Sequence, residues 1–421
     1  MEEQIAFFSI STTQILGISL PQWIFLWFGI VALIKYIHNS GRLILFKDTK
    51  KLISLSFGVV ILMYLATLLD TIFFRDVFSV KQFISDHRFF VILISSLIAG
   101  NYFVRVNKNP IYTFARDIIF IGLTSGFKTI FFMVNDSINH MQGMSFAAQP
   151  YLIWPLFFVV FYIFSKKLKY FQIILLLLVV FMGGVSISRG NLLLFAFDLM
   201  IFIFLIISSM KQRKLLIKRI NVLIILLIII ILIPPVLLYH YNETAYLFLN
   251  YKIDFFTKEL WSGHISHSPA VRILEFKNIS KEAGDLIYPL FIGKGFGGYF
   301  TYKNFPTDFK LGLSDYAIND LVQQKYFHPH TFINFYLLKG GMMLILFYLF
   351  IIIYMLLKGI NLINSKDVSS KTIALFACFY FVFALNMFWR PLYIFLFGIL
   401  VNVLIEIGDK ENTQYKEFES G

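Results

Sequence analysis

A pair of histidines, two arginines and a run of glycines all suit an anionic substrate. His328-Pro329-His330 stands directly before a long apolar run. Histidine titrates near neutrality, so either ring suits general acid–base work or a phosphate contact. Arg189, in Ser188-Arg189-Gly190, opens another apolar run. A cation at a helix N-terminus opposes the macrodipole, so a bound anion is expected to compensate it. Arg272, the fourth residue after Ser268, repeats the arrangement. Two such guanidinium groups could grip a pyrophosphate, each bidentately. Their plain alternatives are a headgroup contact for Arg189 and an ion pair with Glu275 for Arg272. Gly293-Lys294-Gly295-Phe296-Gly297-Gly298 could aim backbone N–H groups at the same anion, with Gly295 and Gly297 as supporting residues. The run lacks the Lys-Ser/Thr of a nucleotide-binding loop, and the alternative is a tight turn. Asp198 lies nine residues into the run that starts at Arg189, about 13 Å deep at helical rise. It reads as a proton or ion site, or as a polar clamp between helices. Arg116 and Asp117 form a second intramembrane charge site, whose members could neutralise each other. No metal is expected. The His-x-x-His of His264 and His267 and the His-x-His of His328 and His330 lack supporting cysteines or a carboxylate pattern.

Membrane spans are expected to hold these residues in place. Hydrophobic residues make up 58% of the 421-residue chain and charged residues 14%, against about 25% charged in soluble domains. Apolar runs fall near 5–18, 21–37, 52–74, 89–104, 110–134, 149–165, 169–186, 190–209, 215–239, 331–357, 372–389 and 391–408. A crossing helix needs about 20 apolar residues, and lipid forces backbone groups to be satisfied internally. The expected fold is therefore all-α, with about twelve transmembrane helices. The division is 1–239 N-terminal spans, 240–329 a large extracytoplasmic loop, 330–408 C-terminal spans and 409–421 a cytoplasmic tail. Within the loop, Ser268-Pro269 reads as a cap and first-turn proline. Val271, Leu274 and Ile279 then come at nearly helical spacing, which predicts an amphipathic helix on the membrane surface.

Charge sets the orientation. Lysines and arginines concentrate in the connectors around 35–51, 166–169, 211–219 and 358–371, whereas 135–148 has none. The basic connectors read as cytoplasmic, which places 240–329, Arg189 and Arg390 on the outer face. The net charge of +13 is thus a topology signal, and no nucleic-acid partner is expected. The single Cys378 excludes an intramolecular disulfide. Met1-Glu2-Glu3-Gln4 lacks the positive region of a cleavable signal.

Together and in this order, the motifs resemble the O-antigen ligase/polymerase superfamily of bacterial membrane glycosyltransferases. Ser188-Arg189-Gly190-Asn191-Leu192-Leu193 resembles its Ser-Arg-Gly element at an outer helix start. Arg272-Ile273-Leu274-Glu275-Phe276 resembles its loop element, in which Arg precedes a bulky aromatic. Gly293 to Phe300 resembles the glycine stretch that comes after it. His330-Thr331-Phe332, running on to Gly340-Gly341, resembles the His-led start of the next span. The likeness covers about the C-terminal half. It departs at Thr331, where the family has Asn, and at Phe276, where it often has Trp.

The resemblance implies a fold like the C-type membrane glycosyltransferases, with no metal or cofactor. It implies a multi-pass protein of the bacterial inner membrane acting on the periplasmic side. The donor would be an undecaprenyl-pyrophosphate-linked oligosaccharide, and a chain-length regulator and a flippase would be partners. Arg189 and Arg272 would hold the pyrophosphate. His330 would be catalytic, with His328 as the alternative. Polymerisation of repeats, ligation of the glycan to lipid A-core, and flipping of the same lipid-linked sugars remain the three functions to separate.

Overall fold

The computed structural model describes residues 14–15, 18–19, 30–31, 34, 38, 45–75, 78–114, 267–284, 287–306, 316, 318–363, 373–374, 377, 394 and 397–409. Arg189, Asp198, Arg116, Asp117 and His264 lie outside these residues, as do most of the expected spans. By its internal contacts the chain divides into two units. One gathers residues 9–108, 265–362 and 377–421; the other gathers 1–8, 109–264 and 363–376, of which few are described. The candidate site and the helices that frame it all belong to the first unit.

Six helices organise the described residues: α1 Lys47–Phe73, α2 Val80–Val106, α3 His267–Gly284, α4 Ile287–Ile292, α5 Ile318–Gln323 and α6 Phe332–Ile363. Residues 397–409 are helical as well. Extended pairing among the described residues is confined to Gln14–Ile15 with Ile18–Ser19 and one bridge between Phe300 and Tyr326. Three helices, α1, α2 and α6, are long and apolar enough to cross a membrane. Large apolar side chains stay exposed along them, such as Phe57, Ile61 and Ile72 on α1 and Leu346, Phe350 and Ile353 on α6. These are the faces a membrane-embedded protein presents to lipid.

The span expected over 89–104 begins nine residues earlier, at Val80. Ser79 caps it by accepting from the Gln82 amide at 3.4 Å. The charged run Lys81 to Arg88 looks like a connector in one dimension. In three, Asp86 is buried among partners from other elements, so the helix carries it inside. At its far end α2 meets residues 397–409 through small residues. A methyl on Gly100 would come within 2.4 Å of the Gly398 carbonyl oxygen. Asn402 seals this contact, donating to the carbonyls of Leu97 and Gly398 and accepting from Thr49 and Asn101. Close small-residue crossings with polar clamps are how helices associate in lipid.

Two charged layers bound these spans. At one end Lys358 contacts Asp48, and Lys51 lies 3.9 Å from the same carboxylate. Asp70, near the other end of α1, is 22 residues from Asp48, about 33 Å at helical rise. That matches a hydrocarbon core of about 30 Å. Helix α6 is broken at Gly341, whose φ of 58° and ψ of −154° are not helical. The piece after the break is long enough to span alone, so the piece before it, with Asn334 and Lys339, belongs to the second layer.

Candidate active site

The second layer is built from α3 and from the loops that α3 grips. Helix α3 turns Glu275, Asn278 and Glu282 inward at steps of three and four residues, which is one helical face. Glu275 and Asn278 have no exposed surface. Buried polar groups need partners, and each of these holds a different stretch of chain. Asn278 donates to the Phe305 carbonyl and accepts from the Phe305 amide, both at 2.9 Å. Glu282 accepts from the Lys294 ammonium at 2.6 Å and from the Thr301 amide and hydroxyl. Glu275 holds His330.

The contact between Glu275 and His330 is direct, with Nδ1 2.5 Å from Oε1. The His330 backbone amide also donates to both carboxylate oxygens, at 3.1 and 3.0 Å. Asn334 donates to Oε2 at 3.2 Å and to the Arg272 carbonyl at 3.0 Å, tying the start of α6 to α3. The Tyr316 hydroxyl donates to Oε1, and the Tyr302 hydroxyl lies 2.7 Å from Tyr316. Burial, with the Glu275 charge beside it, pushes both phenols well above the usual tyrosine range. Both therefore keep their protons. Since Tyr316 gives its single proton to Glu275, Tyr302 donates to Tyr316. A carboxylate that only accepts also fixes His330 as donor through Nδ1, which leaves the other ring nitrogen as the proton acceptor.

His330 is placed by the turn into α6. Thr331 Oγ1 accepts the Asn334 amide at 3.3 Å, and Thr331 O accepts the Phe335 amide, so Thr331 caps α6. Asn and Thr share this capping ability. Either residue at 331 meets the local backbone requirement.

His328 goes elsewhere. Its Nε2 is 3.8 Å from Asp86 Oδ1, and its ring stacks on Phe335 with centroids 6.3 Å apart. Burial pushes this imidazole down to about 4, against the opposing pull of Asp86. Asp86 pairs with Lys339 at 2.6 Å, and neither side chain is more than 1% exposed.

The glycine run lies against this pair. Its amides are all taken within the protein: Lys294 N by Leu338 O, Gly295 N by Lys339 O, Phe296 N by Thr67 Oγ1 and Gly297 N by Asp86 Oδ2. Several of its carbonyls are taken too, those of Lys294 and Phe296 by Arg75 and that of Gly298 by Lys339. Arg75 is itself paired with Asp70 at 2.7 Å and has no exposed side-chain surface. The break at Gly341 explains the first two bonds. It frees the carbonyls of Leu338 and Lys339 from their helical partners, and the loop supplies donors in their place. Gly293, Gly295 and Gly297 take φ near +70°, where a side chain is strained. The run adopts the tight turn, and in this conformation its N–H groups have no capacity left for an anion.

Arg272 is exposed, and among the described residues its guanidinium makes no ion pair. Glu275 is not its partner, because the carboxylate is taken by His330, Tyr316 and Asn334. The surface helix also differs from expectation. Val271 and Ile279 are buried, and Ile279 and Leu274 pack with Phe300, Tyr326, Leu337 and Leu338 rather than facing outward. Ile273 and Phe276 are the apolar side chains that α3 exposes. Sequence reasoning missed Glu275, Tyr302, Tyr316 and Asn334. The signal available was the Glu275, Asn278, Glu282 spacing, a polar stripe on the face that also carries Val271 and Ile279.

Compared with protein-family models, with curated proteins and with solved structures, the chain matches none.

Proposed function

We propose that the protein polymerises lipid-linked oligosaccharide repeats, transferring glycan from a polyprenyl pyrophosphate to a sugar hydroxyl at the periplasmic face of a bacterial inner membrane. The observation that carries this reading is the fully buried Glu275 holding His330 through Nδ1. A carboxylate behind an imidazole is the arrangement that orients a general base. His330 takes the proton of the acceptor hydroxyl. The oxygen attacks the anomeric carbon as the bond to the pyrophosphate oxygen breaks, and the pyrophosphate leaves with that electron pair. Direct displacement inverts the anomeric centre. Arg272, three residues before Glu275 and exposed, stabilises the leaving charge. The end of the spans opposite the lysine-rich end of α1 is then the periplasmic end.

The test is a glycan-stained gel of a deletion strain complemented with the wild type or with His330→Ala. Collapse of the long ladder to a single repeat that the variant fails to restore supports polymerisation. Polymer that forms but stays on its polyprenyl carrier identifies a ligase instead. A second reading, transport of the lipid-linked sugar, draws on the Asp86–Lys339 pair beside a broken span, since discontinuous helices line transporter sites. Flipping that persists in His330→Ala but stops in Asp86→Asn, with both variants folded, favours that reading.

A further inference from the structure

Glu275 carries as many donors as a carboxylate can take. Its two oxygens offer about four lone-pair sites. Four donors meet them: His330 Nδ1 and the Tyr316 hydroxyl at Oε1, Asn334 Nδ2 at Oε2, and the His330 amide between the two. The side chain has no exposed surface, so solvent does not reach it to replace a missing donor. A carboxylate held through both oxygens cannot turn, and the imidazole bonded to it is held with it. Taking the Nδ1 proton would convert one of the four sites into an O–H and strand a donor, so the proton stays on the ring.

Asn334 and the amide come from the entry to α6, the segment that carries His330 itself. Tyr316 comes from outside it, from the stretch before α5. It meets His330 in two ways. Its hydroxyl donates to the carboxylate behind the imidazole, and its ring stands edge-on to the imidazole, with centroids 4.5 Å apart and planes at 74°. Behind it stands Tyr302, whose hydroxyl is 2.7 Å away. Both phenols keep their protons, so the hydrogens point one way, from Tyr302 to Tyr316 to Glu275. A hydroxyl that accepts from another is the stronger donor for it.

A third tyrosine separates this arrangement from packing. The Tyr326 ring lies 4.5 Å from that of Tyr316 and 5.0 Å from that of Tyr302. Its buried hydroxyl makes no hydrogen bond among the described residues. All three rings fill one cluster, but only two of the hydroxyls run to Glu275.

We propose that Tyr316 and Tyr302 are positioning residues for the transfer: acting through Glu275, their hydroxyls hold the His330 ring in one orientation with its proton on Nδ1. The part in transfer rests on the glycan-transfer reading; the holding of the ring rests on the hydrogen bonds alone. Tyr302 opens onto a cavity of about 680 Å³, with Tyr299 and Gln323 also on its wall. Water entering from that side can supply Tyr316 with a new donor, so loss of the Tyr302 hydroxyl should matter less than loss of the Tyr316 hydroxyl.

The experiment compares Tyr316→Phe, Tyr302→Phe and Tyr326→Phe in the full chain in nanodiscs, each variant removing one hydroxyl from the cluster. The first readout is the exchange with water of the His330 Nδ1 proton, followed by NMR of isotope-labelled histidine and assigned by its loss in His330→Gln. Exchange should quicken at least about tenfold in Tyr316→Phe, which loses a bond to a charged group, and about threefold in Tyr302→Phe, which loses a neutral one. Tyr326→Phe should match the wild type. The second readout is the initial rate on lipid-linked repeat extracted from the deletion strain. The same two variants should lose kcat by about the same factors with KM unchanged.

Unaltered exchange in Tyr316→Phe, or an equal change in all three variants, overturns the inference. A loss confined to KM also overturns it and makes the tyrosines part of a substrate surface. Should Tyr316→Phe not fold, the contrast between Tyr302→Phe and Tyr326→Phe decides in the same way. Full transfer by His330→Ala, with exchange still quickened in Tyr316→Phe, would remove the glycan-transfer reading and leave the held ring. Transfer that needs His330 but is indifferent to both hydroxyls would sink the positioning role alone.

Discussion

Two buried carboxylates stand in the same layer of this protein, and they have opposite surroundings. Asp86 is met by Lys339, by the Gly297 amide and by His328. Every one of these partners belongs to a span, the glycine turn or the approach to α6. The group locks α2, α6 and the loop together around the break at Gly341. Glu275 is met by an imidazole, two tyrosine hydroxyls in series and an amide, and that series runs to the wall of an open cavity. Burial of a charge is common to both. What differs is whether the hydrogen-bonded network reaches a space that a ligand can enter, as the one through Tyr302 does.

Removing one partner from the Asp86 network should have the largest effect. Lys339→Met leaves Asp86 buried without its cation and should destabilise the fold by about 3–5 kcal/mol. Thermal inactivation and protease sensitivity in detergent would register it as lost folded protein. Restored stability in the double variant Lys339→Met with Asp86→Leu would attribute the loss to the stranded charge. Normal stability of the single variant would instead show that Asp86 does not need Lys339.

The Glu275 network should respond in rate rather than in folding. Glu275→Gln keeps the shape but cannot accept from every donor or hold the imidazole in one tautomer. Transfer should fall by roughly 10²–10⁴-fold, the range general-base catalysis supplies, while the melting point changes little compared with Lys339→Met. A Glu275→Gln protein that is as active as the wild type would remove the carboxylate from the mechanism. Gly295→Ala comes next in size. Its φ is +71° and a methyl would sit 2.3 Å from the Thr67 amide, so the turn must shift. Strain of about 1–3 kcal/mol is expected, again read as a lowered melting point.

How much of this was legible in the residues differs between the two networks. The three described spans were legible because twenty apolar residues in a row have few alternatives in water or lipid. The start of α2 was not, since Asp86, His87 and Arg88 look like a boundary until a partner from α6 is known. His330 could be singled out from its distance to Gly341, but its carboxylate lies 55 positions upstream and could be paired on paper with Arg272. The spacing of Glu275, Asn278 and Glu282 marks a polar face. It does not say that the face is inward, because Val271 and Ile279 would read the same on a helix lying against lipid. The glycine run was ambiguous for a related reason. Positive φ was foreseeable, but whether its amides meet an anion or the carbonyls of a broken helix depends on Gly341, more than forty residues away.

The smallest effect concerns His328, and it asks whether the Asp86 network also responds to pH. Its imidazole is depressed from 6.5 to about 4 by burial, with Lys339, Arg88 and Lys81 adding to the depression and Asp86 opposing it. Between those two values the unfolded chain binds a proton that the folded chain refuses. Stability therefore rises with pH through that window, is complete above 6.5, and stops falling once the folded ring is protonated near 4. The slope should stay below one proton per molecule, because 32% of the side chain is still exposed to solvent. His328→Gln removes this contribution while keeping a polar group near Asp86. Melting points measured from pH 4 to 7.5 should therefore coincide above about 6.5 and separate toward acid if wild type and variant differ only in this proton, with the wild type falling and the variant flatter. Parallel curves would place His328 outside the Asp86 network and leave Asp86 to Lys339 and the Gly297 amide alone.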